Sequence, residues 1–274
     1  MDRRSPERLR AHYELEKEWA QALRATPASR RPAMYKKAYD AVFAEIYDHP
    51  QLMDRGHPSA RARTVAKQWR FLRRFVRPAD ILLEIGTGDA ALAIKASSVV
   101  RGVVAADVSE EITSHADLPK NVRLVLIDGT HFPLPDASID VAYSNQLMEH
   151  LHPDDALAQL AEIARVLKPG GRYVCITPNR LSGPHDISGY FDDEATGFHL
   201  KEYTNRELAR LFLDAGFSRA KTYAGAKGFY VRMWRSGLEG LEAVLFRVGM
   251  PWRRRIARLW PVRALLGISM VGEK

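Results

Sequence analysis

The sequence predicts an α/β domain built on a doubly wound, mostly parallel sheet. Three observations carry that expectation. The run Asp80-Ile81-Leu82-Leu83-Glu84-Ile85-Gly86-Thr87-Gly88-Asp89-Ala90-Ala91-Leu92 is apolar over a strand's length, ends in an acid, and passes through a Gly-x-Gly turn into small residues that open a helix. Gly102-Val103-Val104-Ala105-Ala106-Asp107 is a second apolar run ending in an acid, 19 residues past Gly88. Further short apolar runs then alternate with helical patterns, the rhythm of strands joined in parallel by helical crossovers.

Taken in order, residues 1–78 read as helical and charged. His12 to Ala20 and Met34 to Phe43 space their aromatics as amphipathic helices do, with Pro27 and Pro32 bracketing a break. A loop runs from Asp48 to Pro58, and Ala60–Val76 reads as a third, basic helix. These helices either pack as a plain extension or also close over a ligand. In the first strand-turn unit, Gly86 and Gly88 allow a tight turn and close backbone approach, while Ala90 and Ala91 let helix and strand pack closely. A dinucleotide fingerprint would have its third glycine where this chain has Ala91, and Glu84 inside the strand end would repel a pyrophosphate. Asp107 suits a ribose diol, because Ser109 already serves to cap the next helix.

Val122–Ile127 is a third strand, followed by Asp128-Gly129-Thr130, where an acid can accept from an adenine amino group and a backbone N–H of Gly129 or Thr130 can meet the ring nitrogen. Ile139–Ser144 is the fourth strand. Pro153, Asp154 and Asp155 open a helix, since proline fits the first turn and acids suit its positive end. Its expected apolar stripe is Leu157, Leu160, Ile163, Ala164 and Leu167, and Lys168-Pro169-Gly170-Gly171 stops it before the fifth strand, Arg172–Thr177. The polar loop Leu181–His199 lies where such folds carry chemistry. Thr204-x-x-Glu207 is a capping box that starts a helix over Asn205–Ala215, and Phe217–Tyr223 reads as a sixth strand.

Glu84-x-Gly86-x-Gly88, Asp107, Asp128-Gly129, Phe132-Pro133-Leu134, Ser138-Ile139-Asp140-Val141, Glu149-His150-Leu151 and Val166-Leu167-Lys168-Pro169-Gly170-Gly171 occur in that order. Together they resemble the broad class I S-adenosylmethionine (SAM) methyltransferase family that includes the ubiquinone-pathway and glycan-associated enzymes. The resemblance implies a Rossmann-like sheet of seven strands, the last antiparallel and best matched by Gly267–Lys274. It divides the chain into an N-terminal extension (1–78), a cofactor-binding core (79–224), a helical basic insertion or lid (225–263) and the last strand (264–274). It implies S-adenosyl-L-methionine as cofactor, held by Glu84, Gly86, Thr87, Gly88, Asp107, Val108, Asp128, Gly129, Thr130 and Asn145. The reaction expected is methyl transfer to a small-molecule, sugar or lipid-linked acceptor, with oxygen favoured. His150 is the first candidate base and His185 and His199 the next, each weighed against a structural or cofactor-contacting role. A catalytically silent cofactor-binding scaffold is the alternative of a different class.

Composition sets the outer bounds. At 274 residues and 46% hydrophobic, the chain can bury roughly 70–75% of its unfolded surface. No window reaches the ~20 apolar residues of a membrane span, and the Arg-rich start lacks the apolar centre of a signal peptide. Cys175 is the single cysteine and no Cys/His spacing suggests zinc, so no metal is expected and a reducing cytoplasm is the default. The net charge of +8 favours an acidic partner without choosing one. A nucleic-acid substrate is disfavoured, because neither an Asn-Pro-Pro-Tyr type signature nor paired cysteines occur. Residues 225–263 combine Trp234, Trp252 and Trp260 with five arginines between 253 and 263 and no acid among them. That pattern suits either peripheral contact with an anionic membrane or plain packing with solvated arginines.

Overall fold

The computed structural model describes residues 4–49, 58–108, 117–226 and 229–274; the Ser109 cap and most of the loop before Pro58 lie outside them. The strands are β1 (Ile81–Ile85), β2 (Gly102–Asp107), β3 (Val122–Leu126), β4 (Ile139–Asn145), β5 (Leu167–Thr177), β6 (Arg219–Ala226), β7 (Phe229–Met233) and β8 (Ile268–Glu273). They form one sheet in the order β3-β2-β1-β4-β5-β8-β6-β7. β1 pairs in parallel with β2 on one side and β4 on the other. β8 runs antiparallel between β5 and β6, so the end of the chain fills the place expected of the last strand.

The sheet has eight strands rather than seven. Phe229–Met233, expected to begin a helical insertion, is a strand that turns back antiparallel along β6. Phe-Tyr-Val-Arg-Met is rich in aromatic and β-branched residues, and the open edge of β6 supplies the hydrogen-bonding partners that a helix would otherwise find within itself. Tyr230 points into the core against Phe71, while Phe229 and Val231 on the other side are exposed.

Helices cover both faces. They are α1 (Pro6–Ala25), α2 (Arg31–Glu45), α3 (Pro58–Leu72), α4 (Ala91–Ser97), α5 (Pro153–Val166), α6 (Asn205–Asp214), α7 (Arg235–Arg247), α8 (Met250–Arg258) and α9 (Trp260–Leu266). Strand alternation divides the interior into two cores. Leu83, Ile85, Ala142, Tyr173 and Cys175 join the side packed by α1, α2, α5 and α6, whereas Leu82, Val141, Tyr143 and Val174 join the side packed by α3 and α4. Leu181, Leu245, Ala257 and Leu266 form a satellite cluster that holds α7–α9 together.

Local signals act where the sequence places them. Pro153 opens α5, and the Thr204 side chain accepts from the Glu207 amide while the Glu207 carboxylate accepts from that of Thr204. Pro32 falls inside the first turn of α2, so the break between the first two helices is confined to residues 26–30. The stripe of α5 is Ala156, Leu160, Ile163 and Ala164; Leu157 is exposed and Leu167 already begins β5. α3 ends at Leu72 instead of Val76, and β6 starts later and runs further than Phe217–Tyr223.

Two buried charged contacts attach the additions to the core. Arg31 donates to Asp155 from Nε and Nη2, both at 2.7 Å, and Tyr35 donates to the same carboxylate at 2.8 Å. Glu242 of α7 accepts at 2.7 Å from Asn179 and at 2.8 Å from the Asn205 amide at the start of α6. Arg31 and Asp155 are 3% and 5% exposed, so removing one partner leaves the other charge stranded away from water. Arg31→Ala is therefore expected to lower stability by about 3–5 kcal/mol in urea unfolding followed by far-UV circular dichroism. A change under about 1 kcal/mol, the size of an exposed ion pair, would show that the pair does not hold α2 in place.

Candidate active site

The carboxyl ends of β1, β2 and β4 open a crevice, because β2 and β4 lie on opposite sides of β1 and their connections leave in opposite directions. The glycine turn lines its floor. Gly86 and Gly88 have φ of +70° and +54°, values that a side chain would strain. A Cβ built on Gly88 would meet nothing within 4 Å, so this backbone lies bare to the crevice. Asp107, at the end of β2, ties the turn down: its carboxylate accepts from Gly88 N at 2.9 Å and from Val108 N at 2.8 Å.

Three neighbouring cavities occupy the crevice. A cavity of about 300 Å³ lies between the glycine turn and α3 and includes Glu84, Gly86, Thr87, Gly88, Tyr143 and Asn145. A narrow cleft of about 60 Å³ is lined by Gly86, Asp107, Val108, Gly129, Leu147 and His150, with Tyr35 and Tyr39 of α2 as its roof. The third, of about 350 Å³, is lined by His12, Glu16, His49, Gln146, His150, His185, Asp186 and His199 among others. Gly86 is common to the first two and His150 to the last two, so the three cavities adjoin one another over the strand ends.

In the first cavity, burial pushes the Glu84 carboxyl up to about 8, only partly offset by a hydrogen bond from Thr87 Oγ1 at 3.2 Å. A cationic ligand group would draw it back to the carboxylate. The hydroxyl of Tyr143 is buried there without a partner among the described residues. Next to Gly129, Asp128 spends one oxygen on its own loop, accepting from Thr130 N, Thr130 Oγ1 and His131 N through Oδ1. Gln159 of α5 donates to Gly129 O at 2.6 Å and fixes the loop's path.

The third cavity gathers all three candidate histidines, but in different roles. His199 donates from Nδ1 to Glu202 at 2.7 Å; burial would lower its pKa, yet that bond and the charges of Glu149, Glu202 and Asp186 raise it. His150 donates from Nδ1 to the Phe198 carbonyl at 3.1 Å, and burial lowers it to about 3, which keeps the ring neutral. His185 is tied into its loop by Nε2, which contacts Ser182 Oγ and the Asn179 carbonyl. Beneath them Glu149 is fully buried: Oε2 accepts from Thr177 at 2.8 Å, and Oε1 has no partner among the described residues. Burial raises its carboxyl to about 7. On the opposite wall, Arg4 donates to His12 Nδ1 at 2.9 Å and His12 donates from Nε2 to Glu16 at 2.8 Å.

Eight of the ten residues expected to bind the cofactor line these cavities; Asp128 and Thr130, on either side of Gly129 in the chain, line none of them. Sequence reasoning missed Tyr35, Tyr39, Leu147, Glu149, Glu202 and the pair His12–Glu16. The spacing His199-x-x-Glu202 and the acid directly before His150 were the signals available for two of them.

A profile described as a methyltransferase domain matches residues 83–175, from β1 into β5. The chain is 32% identical over 182 residues to a probable S-adenosylmethionine-dependent methyltransferase of Mycobacterium tuberculosis. That match covers 64% of each chain, so this chain spans just under two thirds of the relative's length. It is 27% identical over 160 residues to the human eEF1A lysine and N-terminal methyltransferase, covering 54% of this chain and 23% of that one. The Burkholderia thailandensis 1,6-didemethyltoxoflavin-N1-methyltransferase, solved with S-adenosylhomocysteine bound, has the same fold, with a TM-score of 0.53 at 19% identity over 89% of this chain and 90% of that one. The bare glycine turn, the orphaned Tyr143 hydroxyl and the acids at the ends of β1 and β2 fit a cofactor that carries an ammonium group and a ribose diol. Residues 83–175 thus match a methyltransferase domain, and the chain is similar to methyltransferases that use S-adenosyl-L-methionine.

Proposed function

We propose that the protein moves a methyl group from SAM to a hydroxyl oxygen of a small-molecule, sugar or lipid-linked acceptor held in the histidine-lined cavity. The observation that carries this is the shared wall at His150, which joins the cleft holding Asp107 and Gly129 to a cavity rich in proton-accepting groups. When bound, SAM supplies the methyl group and its leaving thioether. Asp107 accepts from the ribose diol, Asp128 from the adenine amino group, and Glu84 and Asn145 face the ammonium end. Arg4, Gln146 and Asp186 line the cavity with the hydrogen-bonding groups that a hydroxylated acceptor needs.

His199, backed by Glu202, and Glu149 act on the hydroxyl proton, which the acceptor oxygen loses as its lone pair takes up the methyl group. His150 had been the first candidate, but its depressed pKa suits it to orienting the acceptor instead. His185 is a positioning residue. Holding acceptor and donor in line is worth roughly 7–11 kcal/mol of barrier in well-oriented systems, and here α1 and α2 line the cavities that would hold them. An amine such as the lysine in the human relative's name is the competing acceptor.

Asp107→Ala should weaken SAM binding by about 1–3 kcal/mol in calorimetry, because a charge-assisted contact is lost; unchanged affinity would sink the ribose assignment. In a turnover assay with labelled SAM and a panel of sugar, lipid-headgroup and amine acceptors, methyl should appear on oxygen. His199→Ala should lower kcat by about 10²–10⁴ while SAM affinity holds. A folded wild type that binds SAM and labels nothing in the panel would favour the scaffold reading.

A peripheral contact with anionic membrane is supported by the surface of α7–α9. Trp234, Trp252 and Trp260 are 87%, 62% and 64% exposed, and Arg255 lies over the Trp252 ring at 5.2 Å. No helix among the described residues is long and apolar enough to cross a membrane. Not every arginine lacks an acid: Arg254 pairs with Asp193 at 2.9 Å from a loop distant in sequence. Each basic residue near an anionic bilayer contributes about 1 kcal/mol. Flotation with phosphatidylserine vesicles should therefore fall with salt and in the combined variant Arg255→Gln, Arg258→Gln and Arg263→Gln. Wild type that stays unbound at low salt would reduce α7–α9 to a cap on the fold.

A further inference from the structure

The floor of the histidine-lined cavity holds one arrangement that methyl transfer by acid–base chemistry alone does not explain. Glu149, His150 and His199 each bring one donor atom within 4.8 Å of the other two. In both histidines Nδ1 is already engaged, by the Phe198 carbonyl in one and by Glu202 in the other. That is how proteins hold metal-ligating imidazoles: an outer carbonyl or carboxylate fixes the tautomer and leaves Nε2 to bind the ion. Among the described residues neither Nε2 has a partner. The carboxylate completes the set. Glu149 is fully buried, and among the described residues its Oε1 has no hydrogen-bond partner. An orphaned buried carboxylate oxygen is costly, and a bound cation would relieve it.

We infer that Glu149, His150 and His199 form a binding site for a divalent transition-metal ion of the zinc, iron(II) and cobalt(II) class at the floor of the acceptor cavity. Two imidazoles and one carboxylate suit such ions, and the face toward the cavity stays open for an acceptor oxygen. Ligands about 2.1 Å from one ion lie roughly 3–4 Å apart, so the three side chains need to close by under about 1 Å. This reverses the expectation of no metal, which rested on Cys/His spacing and so looked only for sites formed within one short segment. The role of the ion, though not its binding, rests on the methyl-transfer reading: with the ion bound, His199 and Glu149 act on the hydroxyl proton through the metal and not by accepting it themselves, and the ion would hold the acceptor hydroxyl and lower its pKa, so that the O–H bond breaks with release of the proton to solvent.

The second cluster, His12, Glu16 and His49, is equally compact but is already satisfied. Arg4 occupies His12 Nδ1, His12 Nε2 donates to Glu16 Oε1, and Glu16 Oε2 accepts from Phe198 N at 3.1 Å. A guanidinium beside that cluster also repels a cation. The two clusters thus make opposite predictions about which side chains matter.

The test uses the whole chain, stripped with EDTA and titrated with Co²⁺ in the absence of SAM and acceptor, with binding read by calorimetry and by visible absorption. Wild type should bind one Co²⁺ at micromolar concentration. Glu149→Gln and His199→Ala should each weaken binding at least tenfold, and the positioning variant Glu202→Gln about 10–100-fold. His12→Ala and His49→Ala should leave it unchanged. Absence of binding, or a loss that follows His12 and His49, overturns the proposal. Anomalous diffraction from Zn²⁺-soaked wild-type crystals decides the matter without variants: an ion between Glu149, His150 and His199 supports the site, and an ion elsewhere or none overturns it. Methyl transfer that persists undiminished in EDTA by a protein that binds no Co²⁺ would remove the metal and leave the methyltransferase reading standing. Co²⁺ bound at this site with no acceptor labelled would do the reverse.

Discussion

The reversal of strand order at β1 is the constraint on which the rest of the molecule depends. Parallel pairing with β2 on one side and β4 on the other sends the following connections to opposite faces. A gap is left at the strand ends that neither connection can fill. Backbone rather than side chain must line its floor, which is why Gly86 and Gly88 take left-handed φ there and why the Asp107 carboxylate is spent partly on holding Gly88 N. The same geometry delivers Asn145, Gln146 and Glu149-His150 from the end of β4 to the far side of the gap. The residues proposed to bind and those proposed to react thus come from strand ends whose separation the sheet sets.

The N-terminal helices are part of this site and not an appendage to it. α2 is fastened by Arg31 and Tyr35 to Asp155, and Tyr35 OH in turn accepts from His152 N at 2.8 Å at the entry to α5. The Tyr35 ring packs beside Gly129, where an added Cβ would come within 3.7 Å. One side chain therefore couples attachment of the helix to the shape of the cleft. α1 reaches the other cavity through Glu16. Burial works against its charge, yet hydrogen bonds from His12, His49 and the Phe198 amide hold its carboxyl well below the usual range. Because Phe198 also carries the carbonyl that orients His150, a displacement of α1 would be felt at the reacting centre.

Three histidines within one cavity behave differently because their partners differ. A carboxylate behind His199 favours its charged form, a carbonyl behind His150 does not overcome desolvation, and His185 is consumed by its own loop. Glu149 sits among them with no hydrogen-bond donor from the described residues at Oε1. Fine differences in the second layer of contacts thus separate residues that composition alone would treat as equivalent.

The sequence by itself determined what depends on short-range patterning. The strand ending in Glu84 with its glycine turn, Asp107 at a fixed distance beyond it, the Thr204–Glu207 box and the Pro153 start of α5 all follow from backbone preferences within a few residues. What depends on which faces meet was decided only by the tertiary structure. Phe229–Met233 reads as part of a helical insertion until the open edge of β6 makes it a strand. Arg254 seems to lack an acid until Asp193 is folded beside it. Glu149 and His150 are separated from His199 by a helix, a strand and a long loop, and only the fold brings their donor atoms within 4.8 Å. Burial, a property of the assembled chain, sets their pKa values, and one strand's residue pattern cannot report how much water the others exclude.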